Sequence, residues 1–232
     1  MDGLAFKRLP LFRDAGEVER YRAVFLEYQR LLEQRAIRLP AQAYAVAQDR
    51  RGVPVFYIVQ QKLPAASIGS RAIHALEQDD VLGLVRRILR ELDKAYAFNL
   101  EQNKFQIALD GQISNWAIES FDGTRLPQEG SLTYVDTSTP LFRVDGVEQL
   151  DVELFLRSAP SFLAWILRKL YLADVVNRYY DFHRVAVDLA ANLYKEQRAD
   201  LVPAAVEAIN AFFQNDARAS GIAPLTEKEV RD

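Results

Sequence analysis

Asp110, Asn115 and Asp136 have residue types and a spacing that could support chemistry. Asp110 follows the apolar run "FQIAL", Asn115 comes five residues later, and Asp136 ends the apolar run "LTYV". A carboxylate beside a hydroxyl can orient that hydroxyl and accept its proton. An amide oxygen and a second carboxylate are hard ligands that suit magnesium. With a cation for the phosphates, these groups are the parts that phosphoryl transfer from ATP requires.

The same three residues also fit ordinary turns. Asp110 and Gly111 make a favourable turn pair, and Asp136 before "TST" fits a turn that ends a strand. Asn115 could stabilise a turn by bonding to the local backbone. Taken alone, the spacing leaves both interpretations open.

Composition narrows the class of protein. The chain has 232 residues, of which 50% are hydrophobic and 26% are charged, as is typical of a soluble globular protein. A net charge of -3 provides no basic field for nucleic acid. There is no cysteine, which excludes disulfides, thiolate metal sites and a cysteine nucleophile. His74 and His183 are too far apart in sequence to indicate a zinc site.

No segment has the pattern of a secretory signal or a membrane span. The opening "MDGLAFKRLPLF" lacks a long apolar core and a cleavage site. The most apolar run, "FLAWILRKLYLADVV", contains Arg168, Lys169 and Asp174 and is too short to cross a bilayer. We therefore expect a cytoplasmic protein with neither a membrane nor a nucleic-acid partner.

Periodicity divides the chain into two parts. The first part reads as a strand ("LAFKRLPLF"), a helix ("DAGEVERYRAVFLEYQRLLEQRAI") and a hairpin turned at "DRRG". The helix has an apolar stripe with members at spacings of three and four: Val18, Tyr21, Phe25, Tyr28 and Leu32. A long helical segment over Ser70–Asn99 and three short strands, "FQIAL", "NWAIES" and "LTYVDT", follow. The remaining helices are predicted at Val147–Ser158, Pro160–Tyr179, Phe182–Glu196 and Leu201–Asn215, with a capping box at Thr226. Trp116 and Trp165 are expected to be buried.

The fold class predicted from this order is α+β. Residues 1–63 form a small lobe of strand, helix and hairpin, and residues 64–232 form a mainly helical lobe with a small β insert. The seam between the lobes is expected near Gln60–Ala66.

"LDGQISNWAI" followed by "LTYVDTS" resembles the catalytic loop and metal-binding strand of the protein kinase-like superfamily. Within that superfamily the arrangement resembles the aminoglycoside and choline phosphotransferase branch, and within that branch an uncharacterised bacterial family that lacks the glycine-rich loop. The resemblance implies a kinase-like two-lobe fold with Asp110 as the catalytic base. It implies that Asn115 and Asp136 hold Mg²⁺, and that ATP donates a phosphoryl group to a small-molecule hydroxyl.

The N-terminal part extends the resemblance. "LAFK" is similar to the V-A-I-K strand, which would make Lys7 the phosphate-binding lysine and Glu27 its partner on the following helix. The adenine would bind at the hinge, for which the candidates are Gln60, Gln61, Lys62 and Leu63. Read without the resemblance, Lys7 beside Arg8 is a solvated basic edge and Glu27 is an exposed helix charge.

Three departures from the kinase pattern support a second hypothesis. Only six residues precede Lys7, so we expect a truncated N-terminal lobe without the glycine-rich hairpin. The nucleotide site of such a lobe would be open, and a protein partner or an oligomer could cover it. Ala108 replaces the histidine that usually braces the catalytic loop, and "DTS" replaces Asp-Phe-Gly. The alternative function is a pseudokinase that acts as an interaction or regulatory module. A weaker alternative is nucleotidyl transfer, and Asp181 or Asp188 could meet a cationic acceptor.

Overall fold

The computed structural model describes residues 3–157, 176–215, 218 and 221–231. The fold is α+β, as predicted from the sequence. The described N-terminal region comprises β1 (Leu4–Leu9), α1 (Ala15–Gln34), β2 (Gln42–Gln48) and β3 (Pro54–Gln61). These strands form one antiparallel sheet in the order β1-β3-β2. The strand, helix and hairpin predicted for this region are confirmed.

Local sequence explains where these elements begin and turn. Asp14 caps α1, because its side chain accepts a hydrogen bond from Glu17 N. Asp49 closes the β2–β3 turn by accepting from Arg51 N and Val53 N, and Gly52 supplies the positive φ of 76°. These local bonds fix the register of the β2–β3 hairpin. The pairing of β1 with the other edge of β3 places β3 at the centre of the sheet.

Helix α1 connects two hydrophobic cores. Its first half packs on the sheet in the smaller core, whose residues are Leu9, Leu11, Phe12, Val18, Tyr21, Phe25, Phe56, Ile58 and Leu154. Its second half contributes Tyr28, Leu31 and Leu32 to the larger core, which holds most of the later helices. The boundary predicted after residue 63 does not coincide with the division between the two cores. Helix α1, before that boundary, contributes to both cores, and Leu154, after it, packs in the smaller core.

The middle of the chain forms two small sheets around a long helix. The helices are α2 (Gly69–Ala72) and α3 (Gln78–Glu101), and the strands are β4 (Phe105–Ile107), β5 (Trp116–Ile118), β6 (Leu132–Tyr134), β7 (Phe142–Val144) and β8 (Val147–Glu148). One sheet has the order β4-β7-β8 and the other pairs β5 with β6. The three strands predicted here are confirmed, and Trp116 is fully buried.

The helix predicted over Val147–Ser158 was wrong in its first half. Val147 and Glu148 pair with β7 as strand β8, and the helix α4 covers only Val152–Leu156. Asp145 and Gly146 both have positive φ, at 49° and 78°, and turn the chain between β7 and β8. The dipeptide Asp-Gly between two apolar segments is a hairpin signal that the helical reading of this segment overlooked.

The C-terminal region is helical, as predicted. It contains α5 (Phe182–Lys195), α6 (Val202–Asn215) and α7 (Glu227–Arg231). The capping box is present, since Thr226 N donates to Glu229 Oε2 at 2.8 Å and Glu229 N donates to Thr226 Oγ1 at 3.3 Å. Most of the helix predicted over Pro160–Tyr179, together with Trp165, lies outside the described residues. Within the described ranges, every helix is too short or too polar to cross a membrane.

Candidate active site

Lys7 of β1 and Asp136, two residues after β6, meet across 129 positions of sequence. Lys7 Nζ lies 2.9 Å from Asp136 Oδ1 and also donates to Ser138 Oγ. Ser138 holds the same carboxylate, through its hydroxyl at 2.7 Å and its backbone N–H at 3.3 Å. Asp136 is therefore both a turn residue and the partner of a distant cation.

The Lys7 cation favours the ionised form of the Asp136 carboxyl. Burial alone would raise the pKa of this carboxyl, but the charge of Lys7 and the hydrogen bonds from Ser138 and Lys7 lower it below its usual value. All hydrogen bonds that Asp136 makes to the described residues go to Oδ1. Its Oδ2 is thus an anionic oxygen that could serve as a metal ligand.

Helix α1 and strand β3 hold the loop that carries Asp136. Tyr21, which lies on α1, donates a hydrogen bond of 2.8 Å from its hydroxyl to Ser138 O. Gln60, at the end of β3, donates through Nε2 to Val135 O at 3.1 Å and to Thr137 Oγ1 at 3.4 Å. Thr137 is buried, with 1% of its surface exposed. The sheet and α1 together position the metal-ligand candidate.

Asp110 lies in a loop whose own residues form hydrogen bonds with it. Its Oδ1 accepts from Gln112 N at 3.0 Å and its Oδ2 from Gln112 Nε2 at 3.1 Å. Asn115 Nδ2 donates to Asp110 O at 3.3 Å, which brings these two predicted site residues together. Burial raises the pKa of the Asp110 carboxyl, the nearby Asp136 charge adds to that rise, and the bonds from Gln112 and Asn115 oppose it.

Packing from helices α1 and α5 shapes the loop around Asp110. A Cβ atom on Gly111 would lie 2.8 Å from Val185 Cγ1 of α5, so only glycine fits there without movement. Tyr28 of α1 donates to Ala108 O at 2.7 Å, and Asn192 of α5 accepts from Ile113 N at 2.9 Å. Ala108 cannot brace the loop as a histidine would, and these bonds from α1 and α5 brace it instead.

Glu27 does not meet Lys7. Its carboxylate pairs with Arg30 on the surface of α1, at 2.6 and 2.8 Å. The buried stripe of α1 runs through Tyr21, Phe25 and Tyr28, and Glu27 lies outside it. The expected Lys7–Glu27 ion pair is therefore corrected to Lys7–Asp136, because Asp136 is the carboxylate that the fold places at β1.

The acid that α1 does bury is Glu17. Arg157 binds it with two hydrogen bonds of 2.7 and 2.9 Å, and Arg13 N adds one of 2.8 Å. The hydrogen bonds from Arg157 and Arg13 outweigh the effect of burial and lower the pKa of Glu17 to about 2. This ion pair connects the first turn of α1 to the segment after α4.

The hinge candidates differ in what their polar groups contact. Gln61 N donates to Ala41 O and Lys62 N donates to Gly3 O, both at 2.8 Å. Leu63 N makes no hydrogen bond to the described residues, which leaves it as a backbone donor. Gln61 and Leu63 also line a cleft of about 420 Å³ with Ala117, and Lys7, Asp110 and Asp136 are not among its lining residues.

A second cleft, of about 380 Å³, opens beside Asp110. Its lining residues are Asp110, Gln112, Arg178, Tyr179, Asp188, Ala191, Asn192 and Lys195. Asp188 is paired with Arg178, whose Nε donates at 2.6 Å. Asp181 caps α5 and pairs with Arg184 at 3.5 Å, and it does not line this cleft. Of the two acids considered for a cationic acceptor, only Asp188 lies beside Asp110.

Sequence reasoning missed several residues that build the site. Tyr21 and Tyr28 were assigned only to the apolar stripe of α1, yet their hydroxyls bond to the two loops. Gln112 and Ser138 each follow an aspartate by two residues, and that spacing was the available signal. No three His, Cys, Asp or Glu side chains of the described residues form a group that could hold a metal ion.

A family model matches residues 2–231 and is described as "Family of unknown function (DUF6206)". The chain belongs to this family. No curated protein matches the chain. The chain is similar to one in a solved structure described as "WaaP in complex with acyl carrier protein", with 11% identity and a TM-score of 0.37, over 88% of this chain and 80% of that chain. At this TM-score the likeness carries no functional argument.

Proposed function

We propose that this protein is a kinase-like phosphotransferase that uses ATP and Mg²⁺ to phosphorylate a small-molecule hydroxyl. The observation that carries the proposal is the 2.9 Å contact between Lys7 and Asp136. Phosphoryl transfer needs a cation for the nucleotide phosphates and a carboxylate for the metal at adjacent points in space. The resemblance read from the sequence assigned those two roles to Lys7 and Asp136, which are far apart in the chain.

Two oxygens that accept no hydrogen bond from the described residues support the magnesium part of the proposal. Mg²⁺ is usually held by one or two protein ligands together with substrate phosphates and water, so a cluster of three acids is not required. Asp136 Oδ2 and Asn115 Oδ1 accept no hydrogen bond from the described residues. When bound, the metal would neutralise charge on the phosphates. Lys7 would then exchange its contact with Asp136 for the α- and β-phosphates.

Asp110 would act as the base. The acceptor oxygen forms a bond to the γ-phosphorus while the bond from that phosphorus to the β,γ-bridging oxygen breaks, and its electron pair leaves with ADP. The hydroxyl proton passes to the Asp110 carboxylate and then to water. A raised pKa strengthens Asp110 as a proton acceptor compared with an ordinary aspartate. Compared with Gln61 and Lys62, whose backbone N–H groups are already bonded, Leu63 has a backbone N–H left to donate to the adenine ring.

Calorimetry with a non-hydrolysable ATP analogue tests the assignment. We expect saturable binding to the full chain that depends on Mg²⁺ and is lost in Asp136→Ala. Asp110→Asn should bind the analogue normally and fail in turnover. Asp122→Ala is the matched control, since Asp122 is exposed in the loop between β5 and β6. Equal binding by Asp136→Ala would remove Asp136 from the metal site.

A second candidate function is a kinase-like interaction module without turnover. The observation in its favour is that several polar groups needed for ATP are already bonded within the chain. Lys7 bonds to Asp136 and Ser138, and the N–H groups of Gln61 and Lys62 bond to backbone oxygens. The absence of analogue binding to the intact chain would favour this candidate. Release of pyrophosphate instead of ADP would identify nucleotidyl transfer.

A further inference from the structure

The cleft beside Asp110 is lined mainly by hydrogen-bond donors. Asp188 already accepts two hydrogen bonds from Arg178, so its charge is offset. Arg178 uses Nε and Nη2 for that pair, which leaves Nη1. Asn192 is only 4% exposed and uses Oδ1 for Ile113 N, which leaves its Nδ2 at the cleft wall. Arg178 and Asn192 therefore each present an N–H donor to a ligand in this cleft.

Tyr179 adds a neutral hydroxyl to the same wall. Its hydroxyl makes no hydrogen bond to the described residues, and the residue lines the cleft. Burial, together with the negative charges of Asp110 and Asp188, raises the pKa of Tyr179 to about 12. The phenol is therefore protonated at neutral pH and can donate.

Lys195 provides a cation at a defined position relative to Asp110. Its Nζ donates to Gln112 Oε1 at 2.9 Å, and Gln112 Nε2 donates to Asp110 Oδ2 at 3.1 Å. One amide group therefore separates the ammonium from the proposed base. No carboxylate of the described residues lies within ion-pair distance of Lys195, whereas Arg178 has Asp188. The positive charge of Lys195 is available to a ligand.

We propose that the phosphoryl acceptor is an anionic alcohol, with a carboxylate or phosphate group one to a few bonds from its reacting hydroxyl. This inference rests on the proposed function and concerns the same site. The hydroxyl lies at Asp110, and the anionic group binds Lys195 with help from Arg178 Nη1, Asn192 Nδ2 and the Tyr179 hydroxyl. Oxyanions only accept hydrogen bonds, so they match a donor wall, whereas a cationic acceptor would face Lys195 with Asp188 already paired.

The test compares four small alcohols that differ in charge. Glycerol 3-phosphate and glycerate carry the two kinds of anion, glycerol is neutral and choline is cationic. Binding to the full chain is measured by ligand-observed NMR, without nucleotide. We expect at least one anion to bind saturably, with affinity about tenfold weaker in Lys195→Gln because one charge-assisted hydrogen bond is lost. Lys195→Arg should bind like the unaltered chain, and Lys228→Gln on α7 is the control for an exposed lysine elsewhere.

The outcomes separate this inference from the proposed function. Preference for glycerol 3-phosphate or for glycerate would identify the anion as phosphate or carboxylate. Binding of choline in preference to both anions, equal anion binding by Lys195→Gln, or no saturable binding of either anion would overturn the inference. Calorimetry of the ATP analogue with Lys195→Gln should be unchanged. If the unaltered chain bound an anion but not the ATP analogue, the proposed function would be overturned. The anion site in the cleft beside Asp110 would stand.

Discussion

The loops that carry Asp110 and Asp136 have the same local geometry and opposite electrostatics. In each loop the aspartate follows a short strand, and the residue two positions later donates both its backbone N–H and its side chain to the carboxylate. Nevertheless, the pKa of Asp110 is raised and that of Asp136 is lowered. The difference comes from Lys7, which contacts one carboxylate and not the other.

A distant residue, Lys7, therefore sets which of the two carboxyls has the lower pKa. Environments that move the pKa values of two similar carboxyls apart support the proposed roles, a proton acceptor at Asp110 and a metal ligand at Asp136. Burial affects both, but only Asp136 has a cation within hydrogen-bond distance among the described residues. Lys7 is therefore the residue whose change should make the two loops alike.

Asp110→Asn should have the largest effect on activity. Removing a general base lowers turnover by roughly 10²–10⁴-fold, while the binding of the ATP analogue stays intact. The measurement is the rate of ADP release with an anionic acceptor. A variant that retained full turnover would show that Asp110 is a turn residue only.

The same substitution should raise stability at pH 7. The folded-state pKa of Asp110 lies above its unfolded value near 3.8, so its stabilising contribution is present below that pH and is lost as pH rises through the folded pKa. An asparagine cannot ionise, so the gain over the unaltered chain should appear at pH 7 and disappear below about pH 4. Urea unfolding at both pH values checks this, with the exposed Asp79→Asn as the control.

Lys7→Met would remove the difference between the loops. The pKa of Asp136 should then rise, because burial is no longer opposed by the cation. Analogue binding should weaken about 10- to 100-fold, since a charge-assisted contact to phosphate is lost. Stability should fall by about 1 kcal/mol at pH 7, as Lys7 is half exposed and its ion pair is screened.

Arg8→Met is the control for Lys7→Met. Arg8 is the next residue on β1, is exposed and points to the other face of the sheet. It should bind the analogue like the unaltered chain. Equal losses from both variants would mean that β1 contributes general charge and that Lys7 has no specific role.

Glu17→Gln should loosen the Asp136 loop more than the Asp110 loop. Glu17 anchors the first turn of α1, and Tyr21, one turn later, holds Ser138 O. We expect a loss of about 1.5 kcal/mol at pH 7 in urea unfolding. The pKa of Glu17 is lowered from 4.5 to about 2, so its contribution is present above pH 4.5 and is lost as pH falls towards 2. The variant and the unaltered chain should therefore converge in stability in acid.

Glu27→Gln should have the smallest effect. The Glu27–Arg30 pair is an exposed pair three residues apart on one helix, which contributes about 0.5 kcal/mol or less. Analogue binding should not change. A large loss of binding would restore Glu27 as the partner of Lys7 in the nucleotide complex.

Much of the secondary structure could be predicted because its signals are local. The stripe of α1, the "DRRG" turn and the capping box at Thr226 are patterns within a few residues, and each was confirmed. The β7–β8 hairpin was missed because its strands are too short for periodicity to separate strand from helix. There the Asp-Gly turn was the better signal.

Local sequence was sufficient to identify the candidate chemical groups. Asp110, Asn115 and Asp136 were identified from residue type, spacing and position at strand ends, and their loops turn as those residue types require.

The long-range contacts of the two loops depend on the tertiary structure. The contacts of Lys7 with Asp136, of Tyr21 with Ser138 and of Lys195 with Gln112 join residues 83 to 129 positions apart. No local pattern encodes such contacts, because they depend on how α1, β1 and α5 pack around the cores. The pKa difference between two similar turns is therefore a property of the fold.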